Sequence, residues 1–162
     1  MSGNVKVESE VRIVELEPMR FASFYGFGKE PEGIAWTKME AWAKPRGMWQ
    51  KLDEHPVFGF NNPDPSPGSP NYGYEVWLRV GPEVEPEDEM RIVEFNGGLY
   101  AVMRCPVPKG NYEVIGRDWK ELVAWRENSK YHCGYHQWME KSVYNDDPAI
   151  EFILDLYLPL AK

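Results

Sequence analysis

The chain repeats itself, and that repeat constrains its fold more than any single motif does. "RIVE" starts at Arg12 and again at Arg91, 79 residues on, and the same offset sets Phe21-Ala22 on Tyr100-Ala101. Trp36, Ala41 and Trp42 match Trp119, Ala124 and Trp125 at an offset of 83. His55 falls on His136 at 81, "NNPDP" from Asn61 resembles "YNDDP" from Tyr144, and "YGYEVWL" from Tyr72 parallels "FILDLYL" from Phe152 at 80. A series so ordered marks two copies, about 11–80 and 90–160, inside a single domain spanning 1–162.

Each copy carries the same elements in the same order. "VRIVELE" and "RFASFYGF" alternate or run apolar between turn residues, which predicts two strands joined as a hairpin. A helix follows. In copy one it starts at Pro31 and stops at Pro45, with Ile34, Ala35, Met39 and Trp42 along one face. In copy two Asn111 is the expected N-cap, and Ile115, Trp119 and Leu122 share a side. Two strands close each copy, "VFGFN" and "YGYEVWLRV" in the first, "YHQWMEKSV" and "FILDLYLPL" in the second. Residues 61–71 are too rich in Pro and Gly for either element and read as a rim loop, while 126–131 carry a weak second-helix pattern. "NGGLY" at 96–100 reads as a hairpin turn rather than a phosphate loop. The expected class is α+β: two pseudo-symmetric βαββ-type repeats, antiparallel sheets with helices on the outer face, and a central ligand cleft.

Composition narrows the function. Eighteen basic residues against 26 acidic ones leave a formal charge of −8, which repels phosphate backbones and excludes direct nucleic-acid binding as the expected role. No apolar run reaches the length of a membrane span. Two cysteines, Cys105 and Cys133, without a signal-peptide pattern fit a reduced, cytoplasmic setting. Seven Trp, nine Tyr and seven Phe exceed what a core of this size requires and suit a ring-lined pocket, with an aromatic-rich core as the alternative.

Strand parity sorts the candidate site residues. Tyr74, Val76 and Leu78 share one face of their strand, Glu75 and Trp77 the other; Leu154, Leu156 and Leu158 oppose Asp155 and Tyr157 in the same way. With helices over the leucine side, Glu75, Trp77, Asp155 and Tyr157 point into the space between the copies. In "HQWMEKS" His136, Trp138 and Glu140 share a face, and Gly59 is the counterpart of Glu140 in copy one. The repeat is thus broken where one copy has a carboxylate and the other no side chain. Solvated strand positions and ordinary ring packing are the plain alternative for the same residues. A carboxylate among rings has a raised pKa unless a cation compensates it, and a lipophilic cation does so through charge and ring faces together.

These residues resemble the GyrI-like small-molecule-binding domains, the effector-binding domains of AraC-type and multidrug-sensing regulators. The resemblance rests on "YGYEVWL", "GGLYAVMRC" at 97–105, "NYEVIGRDWKELVAW", "HQWMEKS" and "FILDLYLPL", and covers about Val11 to Leu160. It implies two pseudo-symmetric units flanking a cleft for hydrophobic, often cationic compounds, with Glu140 at the pocket base. It also implies a second activity, since some stand-alone members look like hydrolases that open cyclopropane rings of DNA-alkylating compounds with a pocket Glu and Tyr. "CPVPKGNYEVIG" departs from the usual shorter helix entry, so a different rim is expected there.

Two functions of different class therefore stand side by side. The first is a receptor without bond chemistry, its ligand held by Glu140, Glu75, Trp77, Trp138, Tyr157, Asp155, Tyr74 and His136. The second is a hydrolase with Glu140 as general base and a tyrosine, Tyr72 first, with Tyr74 or Tyr157 as alternatives, stabilising the opening ring. A metal or haem site at His132, Cys133 and His136, suggested by the related haem-binding SOUL proteins, fits no standard zinc spacing, so no cofactor and no metal is expected. Only about ten residues precede the domain, too few for a helix-turn-helix, so any regulatory role would run through a partner protein. The internal two-fold makes a monomer the expectation.

Overall fold

The computed structural model describes residues 10–162. In chain order the elements are β1 (Val11–Leu16), β2 (Met19–Gly28), α1 (Pro31–Ala43), β3 (Val57–Asn61), β4 (Tyr72–Arg79), β5 (Arg91–Phe95), β6 (Gly98–Pro108), α2 (Glu113–Glu127), β7 (His132–Cys133), β8 (Met139–Val143) and β9 (Ile150–Ala161). Eight strands form one curled antiparallel sheet in the order β1-β6-β9-β8-β3-β4-β2-β5, with the short β7 paired to β9. The α+β class and the two-fold arrangement hold. Among the described residues no helix is long and apolar enough to cross a membrane.

The hairpin expectation does not hold. β1 pairs with β6 rather than with its neighbour β2, and β5 pairs with β2 rather than with β6, so each copy lends its "RIVE" strand to the other. "NGGLY" is accordingly a crossing between the two halves. Gly97 lies at φ +80, a left-handed conformation that favours glycine, and a Cβ there would sit 2.3 Å from the Leu16 carbonyl oxygen of the other connection. Sequence pattern could not reveal this exchange, because an exchanged strand and a hairpin strand have the same alternation.

The exchange is locked by charge. Arg12 Nη2 donates to Asp155 Oδ2 at 3.1 Å, and Arg91 Nη2 donates to Glu75 Oε1 at 2.9 Å. Each repeated arginine thus meets the buried acid of the opposite copy. Asp155 also takes two bonds from Arg104, at 2.9 and 3.2 Å. Glu75 instead gathers Ser23 Oγ at 2.9 Å, the Trp77 indole at 3.2 Å and the Asn62 amide at 2.6 Å.

Helices lie on one face of the sheet, α1 on β2 and β4, α2 on β6 and β9. Pro31 opens α1 at a position where its missing N–H costs nothing, and Pro31, Ala35, Met39 and Ala43 recur every fourth residue to bury its inner face. Ile34, expected on that face, is exposed. Pro45 follows in a tight turn, Lys44–Arg46, that ends the helix. α2 starts without a side-chain cap at Tyr112, contrary to the cap expected of Asn111, and runs unbroken to Glu127 through part of the segment expected to hold a second helix. The opposite, inner face of the curl is filled by rings: Phe21 stacks on Trp77 with centroids 5.1 Å apart, and Tyr157 meets Phe58 and Tyr100 edge-on at 5.5 and 5.4 Å. Burial of each such ring contributes roughly 2–3 kcal/mol, and this ring core fills the inner face.

Candidate functional site

The two halves of the sheet meet along a short seam. β3 and β8 pair only through Phe58 with Lys141 and Gly59 with Glu140. Beyond Gly59 the strands part, since Asn61 leads into the loop of residues 62–71 and residues 134–138 are irregular rather than the strand expected of "YHQW". The gap is a cavity of about 450 Å3. Glu140 and Gly59 lie at the seam, Trp119 of α2 and Trp138 flank the cavity, and Asp64 of the rim loop borders its mouth. A cavity of this size accommodates a small aromatic ligand.

Register determines which way Glu140 points. Directly paired residues in an antiparallel sheet share a face, and Glu140 pairs with Leu156, a core residue under α2. Its carboxylate therefore faces the helices. There it accepts two long hydrogen bonds, from Tyr74 Oη and from Trp119 Nε1, both 3.3 Å. Burial dominates, and pushes its pKa up from 4.5; the Trp119 and Tyr74 bonds oppose that shift, and the nearby Glu32 charge adds to it. Tyr74 is itself buried beside this carboxylate, and both desolvation and the Glu140 charge hold its phenol well above 10, so it remains protonated and can donate.

Gly59 makes this arrangement possible. A Cβ there would lie 2.1 Å from Tyr74 Oη and 2.6 Å from its Cζ, so the ring can reach Glu140 only across a residue without a side chain. The broken repeat position is therefore one device made of two residues, the carboxylate on β8 and the space opposite it on β3.

The structure brings together only part of the residue set read from the sequence. Glu140, Trp138 and Tyr74 meet at the seam, where Trp138 lies against Trp119 with ring centroids 5.5 Å apart. Glu75, Trp77, Asp155 and Tyr157 lie on the opposite face, within or at the edge of the ring core and its arginine clamps, all less than 10% exposed. The parity assigned to them is right, but the register of β8 puts Glu140 on the other side of the sheet. Tyr72 donates to Glu32 at 2.5 Å, not to Glu140, and burial followed by that bond pushes its phenol up to about 12. His136 packs on Tyr100 at 4.7 Å, with Nε2 2.7 Å from the Leu99 carbonyl oxygen. Since a carbonyl only accepts, that ring nitrogen carries the proton. His55, its counterpart, holds the Arg79 carbonyl through its other ring nitrogen, Nδ1, at 2.9 Å. Among the described residues no group of three His, Cys, Asp or Glu is arranged to hold a metal ion.

Trp119, Asp64 and Gln137 line the cavity and were not among the residues expected there. Trp119 carried a usable signal, since it repeats Trp36 yet belongs to the copy that has the glutamate. Asp64 carried none beyond its place in the rim loop. Among the described residues that line the cavity, two are carboxylates and none is Lys, Arg or His.

Residues 12–160 match the Cass2 family, described as integron-associated effector binding protein. No curated protein sequence matches significantly. Among solved structures, the EcmrR C-terminal domain is 13% identical with a TM-score of 0.71, covering 96% of this chain and 99% of that one. A hydrolase from Listeria innocua is 13% identical with a TM-score of 0.65, covering 97% and 94%. SAV2435, solved bound to tetraphenylphosphonium, is 10% identical with a TM-score of 0.53, covering 94% of each chain. At such identities the structures speak for the fold alone. The family match spans nearly the whole chain, and the chain belongs to the Cass2 family of GyrI-like effector-binding domains.

Proposed function

We propose that this member of the Cass2 family is a receptor for hydrophobic, aromatic cations, held in the seam cavity with Glu140 as counter-charge. One observation carries the reading: a carboxylate whose pKa burial raises, in a cavity flanked by Trp119 and Trp138 and with no basic side chain among its described lining residues. Arg126 stands over the Trp138 ring, 5.8 Å from its centroid, but among the described residues Glu140 bonds to Tyr74 and Trp119 and to no cation. An ammonium or phosphonium compensates the desolvated carboxylate and gains attraction from the indole faces, roughly 0.5–2 kcal/mol per well-placed ring. The tetraphenylphosphonium held by SAV2435 supports this ligand class.

The pH dependence follows from the direction of the shift. In the free protein Glu140 loses its proton above the ordinary carboxylate range. A bound cation favours the ionised form, so binding near that pKa releases a proton and affinity rises with pH until Glu140 is fully ionised. The test is calorimetric titration of wild type and Glu140→Gln with tetraphenylphosphonium and with neutral triphenylphosphine oxide. The variant is expected to lose roughly tenfold or more for the cation and little for the oxide. Equal losses for both would sink the reading.

A hydrolase is the second reading, supported by the contact of Tyr74 Oη with Glu140 at 3.3 Å. Glu140 would take a proton from water as it attacks the strained ring, and Tyr74 would supply one to the carbon that leaves. Tyr74 replaces Tyr72 in this role because the Tyr72 hydroxyl is engaged by Glu32. Mass spectrometry of cyclopropane-containing alkylators incubated with the protein checks it. A product heavier by one water, absent with Glu140→Gln, is expected of an enzyme; unchanged masses leave the receptor reading.

A further inference from the structure

We infer that the preferred ligand is a dication, with one positive centre at Glu140 and a second read by Asp64 at the mouth of the same cavity. The inference rests on the receptor reading and adds to it the number of charges and the residue that counts them. Glu140 and Asp64 line one cavity of about 450 Å3, the first at the seam of the sheet and the second on the rim loop. Among the described residues Asp64 has neither a hydrogen-bond nor an ion-pair partner, and Glu140 bonds to Tyr74 and Trp119 but forms no ion pair. The two acids therefore present their charges to whatever enters.

The rim loop holds Asp64 in place. Asn62, two residues before it, donates its side-chain amide to the buried Glu75 at 2.6 Å and its backbone N–H to the Gly73 carbonyl at 2.8 Å. Gly73 N–H closes the base of the loop on the Pro63 carbonyl at 3.1 Å. Glu75, which points away from the cavity, thus serves the site at one remove by fixing the base of the loop that carries Asp64.

Charge supplies the preference. Glu140 is desolvated by burial, whereas Asp64 is exposed on the rim loop and acts on a bound ligand through its charge. A monocation answers Glu140 alone and forgoes the attraction of Asp64. A ligand with a second positive group at its outer end answers both. Asp64 is in this sense a specificity-determining residue, separate from Glu140 in place and in effect.

Ethidium and propidium test this directly, because they share one aromatic cation and propidium adds a second, quaternary ammonium on a short chain. Each is titrated by calorimetry at fixed ionic strength into wild type, Asp64→Asn, Asp64→Lys and Glu85→Gln. The last removes a charge from the segment between β4 and β5, outside the cavity lining, and controls for the overall field of the protein. Wild type is expected to favour propidium by about tenfold, and Glu85→Gln to keep that ratio. Asp64→Asn is expected to bring the ratio near unity while ethidium affinity holds within about twofold, and Asp64→Lys to reverse it. A ratio that survives Asp64→Asn, or an equal loss of both dyes in that variant, overturns the inference alone. Binding of neither dye to wild type overturns it together with the receptor reading.

Discussion

Copy one and copy two each set a tryptophan from the connection after the helix against a tryptophan of the helix itself, and they do it to different ends. In copy one Trp36 meets Trp49 edge-on, 6.5 Å apart at 81°, and both join Met48 and Leu52 on the core beneath α1. In copy two Trp119 and Trp138 lie 5.5 Å apart at 35° and flank an open cavity. Across the seam Gly59 faces Glu140, and Leu154 stands in copy two where copy one has Tyr74. The tryptophan pair of copy one is thus closed in apolar packing, while that of copy two borders an opening. A duplicated fold can divide its labour in this way, since copy one supplies the space for a ring and the rim loop with Asp64, and copy two supplies both tryptophans and Glu140.

The clamps that tie the copies together differ too, and breaking them gives the largest expected effect. Arg91 is the cation on buried Glu75, whereas Asp155 keeps Arg104 when Arg12 is lost. Arg91→Ala is expected to cost roughly 3 kcal/mol in urea unfolding, and Arg12→Ala about 1 kcal/mol. Equal losses would mean that the neutral donors around Glu75 replace a guanidinium fully.

Gly59→Ala comes next, with an expected loss of about 1–3 kcal/mol from overpacking against Tyr74 and a matching fall in cation affinity. Adding Tyr74→Leu, which copies the Leu154 of the other half, should recover stability but not affinity. If the double variant stays as unstable as the single one, the ring of Tyr74 is not what Gly59 accommodates.

Glu140→Gln carries a smaller effect of opposite sign on the empty protein. Because burial raises the folded pKa of Glu140, ionising it costs stability. The cost is absent below the ordinary carboxylate range, where the group is protonated folded and unfolded, and complete above the raised value. Wild type should therefore lose stability relative to Glu140→Gln as pH rises through that window, measured as the difference in Tm; a constant difference would count against a desolvated Glu140. Tyr72→Phe is the smallest, about 1 kcal/mol from its bond to Glu32, with tetraphenylphosphonium affinity unchanged. A large loss of affinity there would bring Tyr72 back to the site.

The sequence by itself determined the two copies, the α+β class, the helix from Pro31, the inward and outward parity of β4 and β9, and the asymmetric position held by Gly59 and Glu140. All of these are written in local periodicity or in the comparison of one copy with the other, so they survive without knowledge of which strand lies beside which. Tertiary structure alone decided the exchange of the "RIVE" strands and the face on which Glu140 lies. An exchanged strand keeps its alternation, and the two sides of β8 are told apart only by its register against Gly59 and Leu156. That register separated Glu140 from Glu75 and Asp155 and left those two acids to the arginine clamps, while the fold brought Asp64 to the cavity from a rim loop whose own pattern gave no sign of it.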